Sequence, residues 1–447
     1  MNEPIISVSG LRGIVGDSLT PDIAIRYACA FAAPLPPGPL VVTRDGRSTG
    51  SMLASVVCGG LAAVGRDVID ADVAATPTTG ILVRQLEAAG GIQISASHNP
   101  REYNGLKLFS AEGRVIPQDS GAQVIERYRE GQPAWVTYEN IGTQSTCADS
   151  ISRHCELVLA TVDVERIRRR RFRVLLDSNH GAGSLVGLKL LETLGCHVTL
   201  LGGTPDGQFE HTPEPTAENL ASVLAAVPAH RCDVGFCQDP DADRLAVIDE
   251  AGRYLGEEYT LAICAEHRLR QQPGPIVTNC ATSRMAQDIA EKHGGAYHRA
   301  AVGEANVVDE MLRRQAVLGG EGNGGVIDPR VGLVRDSFVG MAMLLDAMAA
   351  RELPVSRLAD ELPRYEIVKT KAVIPRARIA DAIEAVAGRF TDAELDRQDG
   401  LRLDWPGKWL LVRASNTEPI VRAIAEAPTR DEAERLCREA QSVMAAG

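Results

Sequence analysis

Long apolar runs are missing from this sequence: nowhere do about 18 uninterrupted apolar residues occur, the length a membrane-crossing helix requires. The start, Met1-Asn-Glu-Pro4, has no basic region followed by an apolar core, so no leader is expected and a cytoplasmic location is the default. Paired cysteines are also missing. The ten cysteines stand singly, mostly in apolar runs such as Val56-Val-Cys58 and Leu261-Ala-Ile-Cys264, and no CxxC occurs. That argues against zinc and against a disulfide framework, and leaves most of them as expected core residues. Basic residues are outnumbered, 47 against 59 acidic ones, for a net charge of -12. The balance disfavours a nucleic-acid partner. Arg166-Ile-Arg-Arg-Arg-Arg-Phe-Arg173 is the local exception. It reads as a basic helix end favoured by the helix dipole, running into a strand Arg173-Val-Leu-Leu-Asp177, in preference to a patch for a phosphate-rich partner.

What is present is an ordinary water-exposed, core-forming composition, 45% hydrophobic and 24% charged. A chain of 447 residues exceeds one core, so three or four domains are expected. Three segments share one plan: a short β-rich run, a polar loop, an amphipathic helix ending near glycine, then another short strand. They run from Leu40 to Asp70, from Phe172 to Leu200, and from Pro275 to His298. Strands joined by helix-length crossovers predict an α/β chain of three repeated domains with mixed sheets covered by helices. The remainder, with Val368-Lys-Thr-Lys-Ala-Val-Ile-Pro375, a helix near Arg378 to Gly388 and further short strands, predicts a smaller C-terminal α+β domain. The boundaries are placed at 1–145, 150–253, 254–364 and 365–447.

In such domains ligand sites occupy the loops beyond the strand ends. Ser7-Val-Ser-Gly-Leu-Arg-Gly-Ile-Val-Gly16 surrounds Arg12 with glycines, either to admit an anion or simply to turn. Thr43-Arg-Asp-Gly-Arg-Ser-Thr-Gly50 opens a helix after a strand. It is either an anion site or a brace in which Arg44, Asp45 and Arg47 hold neighbouring loops. Ser97 follows an apolar strand in Gly90-Gly-Ile-Gln-Ile-Ser-Ala-Ser-His-Asn-Pro100 and is a nucleophile or a turn residue. His180 and His211 read as loop or packing histidines.

The most specific signal is Asp233-Val-Gly-Phe-Cys-Gln-Asp-Pro-Asp-Ala-Asp-Arg244, a strand entering three alternate aspartates. Two like charges about 4 Å apart repel by roughly 4 kcal/mol at an effective dielectric near 20, so the three require a cation or wide separation in water. A calcium hand is disfavoured. Arg244 stands where that loop needs glycine, and Leu245-Ala-Val-Ile-Asp249 reads as strand where a helix should follow.

Taken with Tyr103-Asn-Gly-Leu-Lys107, the run Ser95-Ala-Ser-His-Asn-Pro100 resembles the active-site loop of the α-D-phosphohexomutases, which include phosphoglucomutase, phosphomannomutase and phosphoglucosamine mutase. The aspartate loop, Leu318-Gly-Gly-Glu-Gly-Asn-Gly-Gly-Val-Ile327 and Arg413-Ala-Ser-Asn-Thr-Glu-Pro419 resemble that family's metal, sugar and phosphate loops, in its order. The resemblance implies a phosphoserine at Ser97, with Lys107, Arg12 and His98 assisting transfer. It implies Mg2+ held by Asp239, Asp241 and Asp243 together with the phosphorylated Ser97. Substrate contacts would come from Arg244, Glu321, Asn323, Arg413, Ser415, Asn416, Thr417 and Arg422. Gly325 stands where several members have histidine, leaving Lys107 and His98 as the nearer acid/base candidates.

The implied reaction interconverts hexose 6-phosphate and hexose 1-phosphate through a hexose 1,6-bisphosphate, with glucosamine phosphate favoured over the mannose and glucose phosphates. No nucleic acid or membrane is expected to take part, and a monomer or homodimer is expected. A metal-dependent sugar phosphatase, with water as acceptor, and a silent sugar-phosphate sensor are the alternatives.

Overall fold

A computed structural model of the chain describes residues 3–414 and 420–446. Four sheets follow one another along it. In the first, the strands run in the order Ile5–Ser7, Gly10–Ile14, Tyr103–Ser110, Gly90–Ile94, Leu40–Arg44, Val68–Val73 and Gln144–Thr146. Leu40–Arg44 pairs in parallel with both neighbours, while Tyr103–Ser110 lies antiparallel to both of its own. The second sheet orders Tyr254–Gly256, Leu245–Asp249, Val234–Gln238, Arg173–Asp177 and His197–Leu201; the third orders Tyr297–Ala300, Ile276–Asn279, Leu318–Glu321 and Gly325–Ile327. Both mix parallel and antiparallel pairs. Helices supply the crossovers, so the strands are buried on both faces and read as continuous apolar runs, as in Val234–Gln238. The fourth sheet, of strands Glu366–Val373, Ile420–Ala427, Lys408–Ala414, Leu401–Trp405 and Glu394–Asp396, is antiparallel throughout. It is covered by the helices Ile379–Arg389 and Arg430–Ala446. The expected α/β plan with a smaller α+β unit is the observed architecture.

The largest core does not respect the repeats. It joins Ala75 and Ile81 of the first unit to Val174 and Phe236 of the second and to Leu318 and Phe338 of the third. Its centre is the helix Ser337–Arg351, apolar on all sides and buried along nearly its whole length, the pattern of a helix with neighbours all round. Asp336 starts that helix, accepting from the Phe338 and Val339 N–H groups at 2.8 and 3.2 Å. The fourth unit keeps a core of its own around Leu401, Val412, Val421 and Leu436.

Eight of the ten cysteines are buried and all are free thiols, as the apolar surroundings of most of them imply. The arginine run ends the helix Val164–Arg170. Arg166 pairs with Asp346 at 2.6 Å and Arg168 with Glu165 at 2.7 Å, and Arg173 donates to the His230 carbonyl at 2.9 Å. Among the described residues no helix is long and apolar enough to cross a membrane.

Candidate active site

The loop after the strand Gly90–Ile94 is shaped by one arginine. Arg47 is buried, with Nε on Asp45 at 3.1 Å. One terminal nitrogen donates to the Pro100 and Tyr103 carbonyls, the other to those of Ser97 and Asn99, at 2.6 to 3.0 Å. Asp45 in turn accepts from the Ser95 hydroxyl at 2.7 Å, and Ser95 Oγ accepts from the Ser97 N–H at 2.9 Å. The segment Thr43–Gly50 is therefore a brace, although Arg44 turns outward to Asp72. The brace holds Ser97 in the left-handed region, at a φ of 49°, a conformation uncommon for a residue with a side chain.

So held, Ser97 Oγ donates to Asp239 at 2.8 Å and lies 3.2 Å from His98 Nδ1. Asp239, Asp241 and Asp243 sit in the turn between the antiparallel strands Val234–Gln238 and Leu245–Asp249. All three are fully buried, and a carboxylate oxygen from each lies within 4.8 Å of the others. Asp241 accepts from the Thr76 hydroxyl at 2.6 Å and from Lys107 Nζ at 3.0 Å; Asp243 accepts from Lys107 at 2.8 Å and from Arg335 at 2.6 Å.

Burial opposes ionisation of all three. Lys107 and Thr76 outweigh it at Asp241, and Arg335 does so at Asp243, so both are held below the ordinary carboxylate range. At Asp239 burial and its two acidic neighbours act together and push the carboxyl well above that range. Asp241 Oδ1 and Asp243 Oδ1 are buried without a hydrogen bond. Buried, unpartnered carboxylate oxygens cost free energy, and a hard divalent cation would satisfy them. The donor set fits such an ion.

Arg12 and Lys107 arrive on adjacent strands, and the glycines beside them serve that approach. A Cβ at Gly10 would overlap the Leu106 carbonyl, and one at Gly105 the Leu11 carbonyl. The glycines around Arg12 thus let strand meet strand. Arg12 donates to Asn99 Oδ1 at 3.0 Å. Burial works against the Lys107 ammonium, but Asp241 and Asp243 outweigh it and raise its pKa. Burial, followed by Arg244 and Arg12, lowers His98 to about 3, so its ring is neutral near pH 7. His180 and His211 are loop residues, bonded to the Thr204 carbonyl and to Asp177 at 2.9 and 2.8 Å.

These groups open onto a cleft of about 1180 Å3 reached by all four units: Arg12, His98 and Lys107; Arg244; Glu321, Asn323 and Arg335; and Lys369, Lys371 and Arg422. Glu321 Oε1 accepts from Asn279 at 2.7 Å and from the Gly303 N–H at 3.2 Å; its Oε2 accepts from Arg335 at 2.6 Å and Asn323 at 3.3 Å. Burial disfavours its charge, but Arg335, then Asn279, hold it below the usual range. Arg244 is tied to the metal loop through its own N–H, which donates to Asp239 at 3.2 Å. Arg413 is ion-paired with Asp399 at 3.0 Å and is not among the residues lining the cleft. Ser415, Asn416 and Thr417 lie outside the described residues.

Sequence reasoning missed Thr76, Glu258, Arg335, Lys369 and Lys371. Only the last two carried a local signal, two lysines at alternate positions of one strand.

Family models describing phosphoglucomutase/phosphomannomutase match the chain four times in succession. The alpha/beta/alpha domains I, II and III match residues 5–134, 152–252 and 257–365, and the C-terminal domain matches 370–442. A "Phosphoglucomutase/phosphomannomutase" of Thermococcus kodakarensis is 38% identical, over 95% of this chain and 94% of its own length. A "Probable phosphoglucosamine mutase" of Thermococcus gammatolerans is 34% identical, over 98% and 97%. In the crystal structure of a phosphoglucomutase/phosphomannomutase family protein from Burkholderia thailandensis, 26% identical, 99% of each chain superposes with a TM-score of 0.86. With all four domain models matched in order and the aspartates gathered beside Ser97, the chain belongs to the α-D-phosphohexomutase family.

Proposed function

We propose that this enzyme is an isomerase that moves a phosphoryl group between O6 and O1 of a hexose by way of Ser97, with glucosamine phosphate as the favoured substrate. The observation that carries the reading is Ser97 Oγ, 2.8 Å from Asp239 in a cleft reached from all four units. A phosphoserine brings a charge of about −1.5 to −2, which beside Asp239 demands compensation. Asp239, Asp241 and Asp243 would hold Mg2+, which when bound supplies compensating charge to the phosphoryl oxygens.

The chain's own residues do the rest. Lys107, kept as an ammonium, and the Arg12 guanidinium provide fixed positive charge where the phosphoryl group is transferred. As the P–O bond to Ser97 breaks and one to a sugar hydroxyl forms, Oγ must regain a proton and the hydroxyl must lose one. The neutral His98 ring, 3.2 Å from Oγ, is placed to orient the serine hydroxyl. Glu321, Asn323 and Arg244 would contact the sugar. Arg422, on the cleft, would hold the phosphate that does not react, joined by Ser415, Asn416 and Thr417 and by Arg413 once it leaves its ion pair with Asp399. The bisphosphorylated sugar then returns its other phosphate to Ser97, so no net phosphate is consumed.

Glu258 supports the amino sugar. Its carboxylate lies against Gly322 of the sugar loop, where any Cβ would overlap it, and it lines the cleft. Among the described residues, only the Ser283 N–H donates to it, at 3.1 Å. Burial raises Glu258 to about 8, so it is largely protonated in the empty site near pH 7; an ammonium on the sugar would draw it into the ionised form and complete that partial set.

Four measurements test the proposal. Intact mass should find a fraction of the purified protein carrying one phosphate, localised to Ser97. Ser97→Ala should abolish isomerisation, and full activity in that variant would sink the reading. Initial rates on the 6-phosphates of glucosamine, mannose and glucose should favour the first. Glu258→Gln should narrow that preference while leaving the glucose rate in place.

A further inference from the structure

Arg335 connects three parts of the cleft. One terminal nitrogen donates to Asp243 at 2.6 Å, the other to Glu321 at 2.6 Å, and Nε lies 3.3 Å from Glu304. Its own N–H donates to Glu304 at 2.9 Å. The next residue, Asp336, caps the buried helix Ser337–Arg351 and accepts from His154 Nε2 at 2.7 Å. The guanidinium is therefore fixed from both ends, about nine-tenths buried, with one edge on the cleft. Its stem needs Gly325: a Cβ there would overlap Arg335 Cδ. The glycine is the space the arginine occupies, so the place a side chain at position 325 would take is filled by a cation from another segment.

We infer that Arg335 is a positioning residue that locks the sugar-reading carboxylate of Glu321 to the metal-loop carboxylate of Asp243, and that Gly325 is present to admit it. The inference rests on the phosphohexomutase reading for its kinetic consequences but not for its electrostatic ones. A planar fork holding two carboxylates fixes both their separation and their orientation, which a flexible ammonium cannot do. The same positive charge, in contact with Asp243, opposes any cation at the aspartates. Removing it should therefore move two quantities in opposite directions.

The test uses the full-length protein, treated with phosphatase, and titrates Mg2+ calorimetrically alongside initial rates on glucosamine 6-phosphate with glucose 1,6-bisphosphate present. Arg335→Met should bind Mg2+ tighter by about threefold or more. It should also lose about a hundredfold in kcat/KM, the scale expected when a substrate-holding group shifts by about 1 Å. Unchanged or weaker Mg2+ binding in a variant that melts as one transition, or retained turnover, would overturn the inference. Arg335→Lys keeps the charge and guards against misfolding of the first variant. It should bind Mg2+ within about twofold of the parent and still lose about tenfold or more in kcat/KM; parental turnover would overturn the inference as well. Should the parent chain itself show no isomerisation, the functional reading fails, while the Mg2+ titration still decides the electrostatic half.

Discussion

The first three units meet through shared interior, whereas the fourth meets the third through a patch. At the triple junction a single core runs across unit boundaries, and a buried polar chain crosses them too. The Thr78 hydroxyl bonds His154 Nδ1 at 2.9 Å, and His154 Nε2 bonds Asp336 at 2.7 Å. Arg84 reaches the Val331 carbonyl at 2.5 Å, and Thr76 reaches Asp241. The fourth unit contributes Trp409, Leu411 and Ile424 to a small cluster with Cys280. Its polar links run along the same seam: Arg299 pairs with Asp404 at 2.7 Å, Asp399 accepts from the Val302 N–H at 2.9 Å, Glu426 accepts from the Arg284 N–H at 3.0 Å, and Arg402 donates to the Cys280 carbonyl. The difference matches two tasks. The metal loop and Ser97 need fixed geometry, because misplacement of a reacting group by about 1 Å can cost about a hundredfold in rate. In the proposed reaction the fourth unit grips a phosphate of a sugar held in either orientation, which needs freedom that a small interface permits.

Substitutions can break this contrast. The largest effect should come from Asp241→Asn, which removes a proposed cation ligand and leaves Lys107 facing one carboxylate; turnover should fall about a hundredfold or more in a coupled assay. Next is Asp336→Ala, which removes a helix cap and strands His154, at a cost of about 3 kcal/mol in urea unfolding. A cost below about 1 kcal/mol would show that the junction is no firmer than an ordinary helix start. On the other side, Asp399→Ala should cost only about 1 kcal/mol. It should shift KM for the sugar phosphate without changing Mg2+ affinity; a matching loss of Mg2+ affinity would show that the fourth unit is coupled to the metal site after all.

The smallest effect concerns pH. Burial raises Glu258 from an ordinary 4.5 to about 8. The folded state thus binds more protons than the unfolded state between those values. The associated stability is present below about pH 4.5 and lost as pH rises through about 8. Glu258→Gln should flatten that decline in thermal melts taken from pH 5 to 8.

The β-α-β plan was legible because it is written in local periodicity: Arg173–Asp177 and Leu245–Asp249 are strands with the bounds their apolar runs suggest. Ser97 and the three aspartates were legible because each lies within a compact motif. Local composition left the glycines around Arg12 and the segment at Thr43–Gly50 ambiguous, and only packing shows the first to be a strand crossing and the second a brace. Arg335, His154 and Thr76 were not legible at all. Their partners lie 92, 182 and 165 residues away in the chain, and nothing around Val334-Arg-Asp336 distinguishes a cleft-spanning arginine from a surface one.

Glu321-Gly-Asn-Gly-Gly325 owes two of its glycines to side chains from elsewhere, Glu258 above Gly322 and Arg335 above Gly325. The loop is therefore not a portable cassette. Grafting a bulkier recognition loop from a relative would collide with both, and a successful exchange of specificity must carry residues 258 and 335 along with the loop.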